Sequence, residues 1–385
     1  MNYKIIKISL CFLLIFSFFT QITQSKVYAS EEPVIRVLIK QDKLLRIRSD
    51  SSIPLIVRGG PFSNEKVKGL TVKNNNKKNI LFFDRDKTKL YELDNAKGFE
   101  IKSSDKRGIW VGDKRYAGKI KVTLSESQIF AVNILEIEKY LFSVVASEMP
   151  HKWPLEALKA QAIASRTYAL KNRISNNFYD MDSTHNDQVY NGLEAETRRT
   201  RKAVKRTRSM VILYKDKLIN ALFHSSSGGM TENSEDVWGN NLSYLISVKD
   251  FDRNNPKLNW KKTFSETELE KLFPYAGGIE RIKILELTGS GRIKKVEIFG
   301  RWGSEILTGQ ELRKILNLKS TLFRVEFDNS NNQRMLIVNG IGAGHGVGMS
   351  QWGAKYMAQK GFKANDILEY YYTGVEIKPF QESYV

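Results

Sequence analysis

The chain has 385 residues, 41% hydrophobic and 27% charged. That suits about two globular domains and excludes global disorder, collagen-like repeats and a multispanning membrane protein. Charge is the outlier: 61 Lys and Arg against 42 Asp and Glu give a formal +19, the balance of a chain that meets a polyanion such as nucleic acid, anionic glycan or lipid headgroups.

Lys4 and Lys7 precede an apolar run over residues 8–19, too short to span a bilayer unaided and of signal-peptide length. Residues 21–26 turn polar, and Val27-Tyr28-Ala29 resembles a cleavage site. The pattern predicts a signal peptide over 1–29 cut after Ala29, the alternative being a retained anchor. The single cysteine, Cys11, leaves with it, so the mature chain can form neither a disulfide nor a Cys-rich zinc site. Losing Lys4, Lys7 and Lys26 and no acid leaves 58 basic against 42 acidic side chains, a net +16. Export to the periplasm or cell envelope disfavours nucleic acid as the counterpart of that charge and favours an envelope polymer.

Short apolar runs at 34–39, 55–57, 70–72 and 80–83, separated by turn-forming clusters such as Gly59-Gly60-Pro61, predict a small β-rich accessory domain over 30–110. Residues 111–378 form a second, α+β domain, with a tail at 379–385. In it, 120–124 and 129–132 read as strands, and 135–146 carries Leu135, Leu141 and Val145 at helical spacing. Pro150 should end that helix, and Pro154 should open another that runs to about Lys171. Runs 210–214 and 219–223 predict a hairpin across Lys215-Asp216-Lys217. Ser265 with Glu268 marks a capped helix to Phe273. Strands at 282–287 and 294–299, a helix at 310–316 and a last helix at 350–359 complete the order.

Glu148 falls at the carboxyl end of the first of these helices, where the dipole disfavours an ionised carboxylate. With walls such as Trp153 and Tyr168 it would stay protonated and act as a general acid. His224 and His345 sit in glycine- and serine-rich surroundings, His224-Ser225-Ser226-Ser227-Gly228-Gly229 and Gly344-His345-Gly346-Val347-Gly348. A serine hydrolase pairing Ser226 with His345 is disfavoured by the missing Gly-x-Ser-x-Gly elbow. No zinc motif occurs and no metal or other cofactor is expected; His224 and His345 are the pair through which an ion would be held. Arg198, Arg199, Arg201, Lys202, Lys205, Arg206 and Arg208 form the densest basic run, either a solvated helix face or a contact with an anionic envelope polymer.

Several motifs in a fixed order carry a resemblance. Ser147-Glu148-Met149-Pro150, Trp153-Pro154, Glu156-Ala157-Leu158-Lys159-Ala160-Gln161-Ala162 and Arg166-Thr167-Tyr168-Ala169 come first. Gln188-Val189-Tyr190, the two histidine segments, Trp238-Gly239, Ser350-Gln351-Trp352-Gly353-Ala354 and Tyr370-Tyr371-Tyr372-Thr373-Gly374 follow. Over about residues 112–377 the chain resembles the SpoIID/LytB family, the sporulation stage II protein D and amidase enhancer proteins. The resemblance implies an exported peptidoglycan lytic transglycosylase that cuts glycan strands, those stripped of stem peptides above all, to 1,6-anhydromuramic acid ends, with Glu148 as its acid and base. It implies substrate contacts from Gln188, Tyr190, Ser226, His345, Ser350 and Gln351. Arg166 would bind a glycan carboxylate or orient Glu148, the alternative being a structural ion pair. Family members that carry zinc use cysteine and histidine, a set the mature chain lacks. The competing reading is a non-catalytic peptidoglycan-binding enhancer of an N-acetylmuramoyl-L-alanine amidase.

Overall fold

The strand Val34–Asp42 pairs antiparallel with Ile129–Glu136, Val34 facing Glu136, so the start of the accessory region is built into the sheet that leads to the first helix. This computed structural model describes residues 32–385 apart from 51, 75–78, 84–85, 94–97, 126–127, 174–177 and 330–333; the expected signal peptide lies outside them. Among the described residues no helix is long and apolar enough to cross a membrane.

One seven-stranded sheet runs, in spatial order, Met181–Asp182, Val34–Asp42, Ile129–Glu136, Lys119–Leu124, Phe99–Lys102, Leu55–Gly59 and Phe62–Val67. It passes straight across the division expected near residue 110. Alternation explains how: in Lys119–Leu124 every second side chain, Ile120, Val122 and Leu124, points inward. These join Leu45, Ile47 and Val72 of a six-stranded sheet in one core. All the strands expected at 34–39, 55–57, 70–72, 80–83, 120–124 and 129–132 are present.

Helix α1, Ile137–Glu148, buries Tyr140, Leu141, Val144 and Val145. It stops because Pro150 holds Met149 extended, at φ −126° and ψ 138°. Helix α2, Leu155–Lys171, follows, with Pro154 as its cap rather than its first residue. Its alanines let neighbours approach on every side: it packs against α1, α3 (Arg198–Arg206) and the strand Met210–Tyr214. A helix buried all round needs no amphipathic stripe.

The expected hairpin is shorter than its apolar runs. Lys215 and Asp216 both have positive φ, 50° and 57°, a two-residue turn that makes Lys217 face Tyr214 and ends the partner strand at Leu218. The rest of the run serves a second pairing, Phe223–His224 lying parallel to Met349–Ser350. After α4, Ser234–Trp238, a second hydrophobic core gathers Trp260, Phe264, Val296, Leu312, Leu336 and Val338. Two three-stranded antiparallel sheets surround it, with α5, Glu266–Leu272, and α6, Gly309–Ile315. Both helices open with a reciprocal capping box, Ser265 with Glu268 and Thr308 with Glu311. Helix α7, Gln351–Gln359, is not the last: α8, Ala364–Tyr371, packs Ile367, Leu368 and Tyr371 inward. The architecture is α+β.

Candidate active site

A cleft of about 670 Å³ collects side chains from most of the chain: Glu148 at the end of α1, Tyr168 of α2, His185 and Asp187 of the following loop, Trp238, Arg313 and His345. Glu148 is half-buried and one carboxylate oxygen accepts the Val189 amide at 2.9 Å. Burial raises its pKa above the usual glutamate value, more than the Val189 amide, the His185 charge and the Gln351 side chain lower it. A carboxyl group biased toward its protonated form beside an open cleft is equipped to give a proton away.

The loop that carries Val189 is fixed from below. Gln188 is buried, donates from Nε2 to the Ser165 carbonyl at 3.2 Å and accepts the Tyr140 hydroxyl at 3.1 Å. Tyr190, 3% exposed, donates its hydroxyl to Asn133 at 2.8 Å. Both expected substrate contacts therefore turn out to be buried supports that aim the Val189 amide at Glu148. Arg166 is likewise removed from the cleft. It forms two 2.7 Å bonds to Glu138 and a third at 3.0 Å to the Met210 carbonyl, the structural ion pair that was its alternative reading.

Ser226 donates to Asp252 at 2.5 Å and is 1% exposed, while its backbone exchanges two hydrogen bonds with Ala343. It joins the two histidine loops instead of lining a groove, and no His345 contact activates it. Half-buried His345 does reach the cleft. Its Nδ1 accepts the Val347 amide and its Nε2 faces the Phe223 carbonyl, both at 3.1 Å, an arrangement that assigns the proton to Nε2. His224 faces the Val347 carbonyl with Nδ1, and its buried Nε2 has no protein partner among the described residues. Burial pushes both imidazoles down to about 3, so both are neutral. Because backbone groups take both nitrogens of His345, the pair does not present two lone pairs to one ion. Among the described residues no group of three or more His, Cys, Asp or Glu could hold a metal.

Glycines set the loop that holds His345. At Gly346, φ is 88° and a Cβ would lie 2.8 Å from the Arg292 guanidinium. Ser350 is fully buried and caps α7 through the Gly353 amide at 3.2 Å. Gln351 lines the cleft and donates to Gln161 at 3.3 Å. Trp153 is no wall of the cleft; it packs edge-on against Trp352, ring centroids 4.9 Å apart.

Four cleft residues were not among the expected site residues. Trp238, 47% exposed, tilts against His345 at 5.3 Å and offers an aromatic face. Asp187 accepts the Asp182 amide at 2.8 Å and the Tyr168 hydroxyl at 3.4 Å, and burial raises its pKa. His185 and Arg313 complete the set. Trp238 was visible as a motif residue; Arg313 was invisible because it stands 165 positions from Glu148 and comes from the second core.

The profile described as "Stage II sporulation protein" matches residues 125–214, which include α1, Glu148 and α2. A domain of unknown function matches residues 238–348, which span the second core. Stage II sporulation protein D of Bacillus subtilis is 34% identical over 281 residues, 68% of this chain and 80% of the relative. The chain belongs to the stage II sporulation protein D family. The Bacillus amyloliquefaciens member of the same name is also 34% identical, over 67% of this chain and 78% of its own length. The Bacillus subtilis amidase enhancer is 30% identical over 62% of this chain and 40% of its own length. The family profile stops before Trp238, Arg313 and His345, so the cleft is completed by residues outside it.

Proposed function

We propose that this family member acts on the cell wall outside the cytoplasm as a peptidoglycan lytic transglycosylase, cutting glycan strands already relieved of their stem peptides. The observation that carries the reading is Glu148: half-buried, raised in pKa and held by the Val189 amide at the edge of a cleft of about 670 Å³. Glu148 protonates the glycosidic oxygen as its bond to muramic acid C1 breaks. The muramic acid's own 6-hydroxyl then attacks C1 and gives its proton to the Glu148 carboxylate. The products are a 1,6-anhydro end and a free hydroxyl on the departing sugar, and no water is consumed. Asp187 has both carboxylate oxygens engaged, by Asp182 and Tyr168, which suits a supporting role better than that of a second catalytic carboxylate. Trp238 offers its exposed indole to the apolar face of a sugar.

Digestion of purified, peptide-free glycan with the mature protein should release anhydromuramyl ends, read by mass, and Glu148→Gln should release none. Absence of such ends with the wild type, or undiminished yield from the variant, overturns the reading. Similarity to the amidase enhancer supports a second reading, a wall-binding protein that stimulates an amidase. It predicts amidase stimulation that persists in Glu148→Gln.

A further inference from the structure

Arg313 is a cation without a counter-ion among the described residues. It comes from α6, packed into the second core, yet lines the same cleft as Glu148. Its Nε donates to the Leu318 carbonyl at 3.2 Å and its Nη1 to the Gln310 side chain at 3.3 Å. Those two bonds fix the plane of the guanidinium. Nη2 has no protein partner among the described residues, and it is not sealed off from solvent as the orphaned Arg292 nitrogens are. No ion pair joins Arg313 to any described carboxylate. The contrast with Arg166, closed on Glu138, is one of chemistry as well as place.

A guanidinium taken partly out of water loses hydration, and burial does lower its pKa. The bonds to Leu318 and Gln310 repay part of that loss, but no carboxylate among the described residues does: the neighbouring cleft imidazoles are neutral, and Arg313's own charge helps keep them so. A planar, permanently charged donor with an open edge is the group that recognises a carboxylate. Peptide-free muramic acid carries one on its lactyl ether, whereas a strand with stem peptides carries its carboxylates farther out.

We infer that Arg313, supplied by the second core, binds a carboxylate on the substituent of muramic acid and so selects the acid-bearing sugar at the cleft. This rests on the glycan-strand reading above. It gives the second core a part in the site, in that it delivers the specificity charge while α1 delivers Glu148.

The test measures equilibrium binding in the Glu148→Gln background, so that no strand is cut. The ligands are peptide-free glycan, peptide-bearing glycan and peptide-free glycan whose carboxylates have been reduced to alcohols. Arg313→Gln should weaken binding of peptide-free glycan about tenfold, as expected for loss of one charge-assisted contact. Arg313→Lys should recover part of that loss. Carboxyl-reduced glycan should bind both forms equally. A loss confined to peptide-free glycan assigns the lactyl carboxylate, and one confined to peptide-bearing strands assigns the peptide. Equal binding of peptide-free glycan by Arg313→Gln and its parent, with no effect on peptide-bearing strands either, overturns the inference. So does an equal loss on the reduced ligand. If Arg313→Gln does not fold, the parent's preference for native over reduced glycan and its partial retention by Arg313→Lys decide the matter, and absence of that preference refutes it. Charge-dependent binding without anhydro ends from the wild type would sink the transglycosylase reading and leave this one standing; failure to bind any glycan sinks both.

Discussion

Replacing Arg166 by Ala separates a structural arginine from a substrate-binding one. Its side chain is 1% exposed, against 8% for its partner Glu138. Truncation takes both short guanidinium bonds from the buried Glu138 carboxylate, which keeps the Ser209 amide at 3.2 Å. It also removes the donor to the Met210 carbonyl and leaves a void the size of the arginine. Breaking a buried pair from one side costs about 3–5 kcal/mol, a large part of the roughly 5–15 kcal/mol that holds a domain folded. Replacing both partners by Met leaves no charge unpaired, and the bonds lost by the Ser209 amide and the Met210 carbonyl, about 1–3 kcal/mol each, become its main cost. Urea unfolding followed by circular dichroism reads these differences as shifts of the midpoint, and glycan cleavage per folded molecule is measured in parallel. If Arg166→Ala keeps the wild-type midpoint while cleavage collapses, the ion-pair account is wrong and Arg166 belongs to the substrate site.

Glu148→Gln should raise stability at neutral pH, because it removes a carboxylate whose charged form burial disfavours while keeping an acceptor for Val189. The gain should shrink as pH falls and Glu148 itself becomes neutral, which urea midpoints across a pH series would show. His224, 4% exposed, has a folded pKa near 3 against an unfolded value near 6.5. Between those values the unfolded chain binds the extra proton, so stability is full above about pH 6.5 and is lost as pH falls toward 3. From pH 6.5 to 4.5 the loss traceable to His224 is about 2 kcal/mol, and His224→Asn should flatten the acid limb by that amount; an unchanged limb refutes it. On α3, Thr200, Ala203 and Val204 face inward. Arg199 clamps the His151 and Trp153 carbonyls, and Arg201 pairs with Glu196 at 2.5 Å. If the exposed face binds an anionic polymer, reversing Lys202 and Lys205 to Glu should weaken sedimentation with cell walls steeply and flatten its salt dependence, with little change in melting temperature. Unchanged sedimentation removes the face from that role.

What the sequence by itself determined is local or motif-borne. Alternation placed the strands, Pro150 ended α1, Ser265 with Glu268 capped α5, and these act within a few residues of where they are read. Glu148 belongs here too, since its position at the end of a helix follows from the proline two residues on. Helix α8 was missed: Ala364, Ile367, Leu368 and Tyr371 do have helical spacing, but the run of aromatics hides that rhythm. Tertiary structure alone decided what each polar side chain meets. Arg166, Gln188, Tyr190 and Ser226 sit in cleft-forming motifs yet are consumed by Glu138, Ser165, Asn133 and Asp252, partners 28, 23, 57 and 26 positions away. The sheet that crosses residue 110 depends on Val34 finding Glu136, and the charge in the cleft depends on α6 and the end of α1 lining one cavity. The physical reason is the same in each case: secondary structure is set by neighbours in the chain, whereas the partner of a buried charge or hydroxyl is set by whichever distant segment packing brings to it.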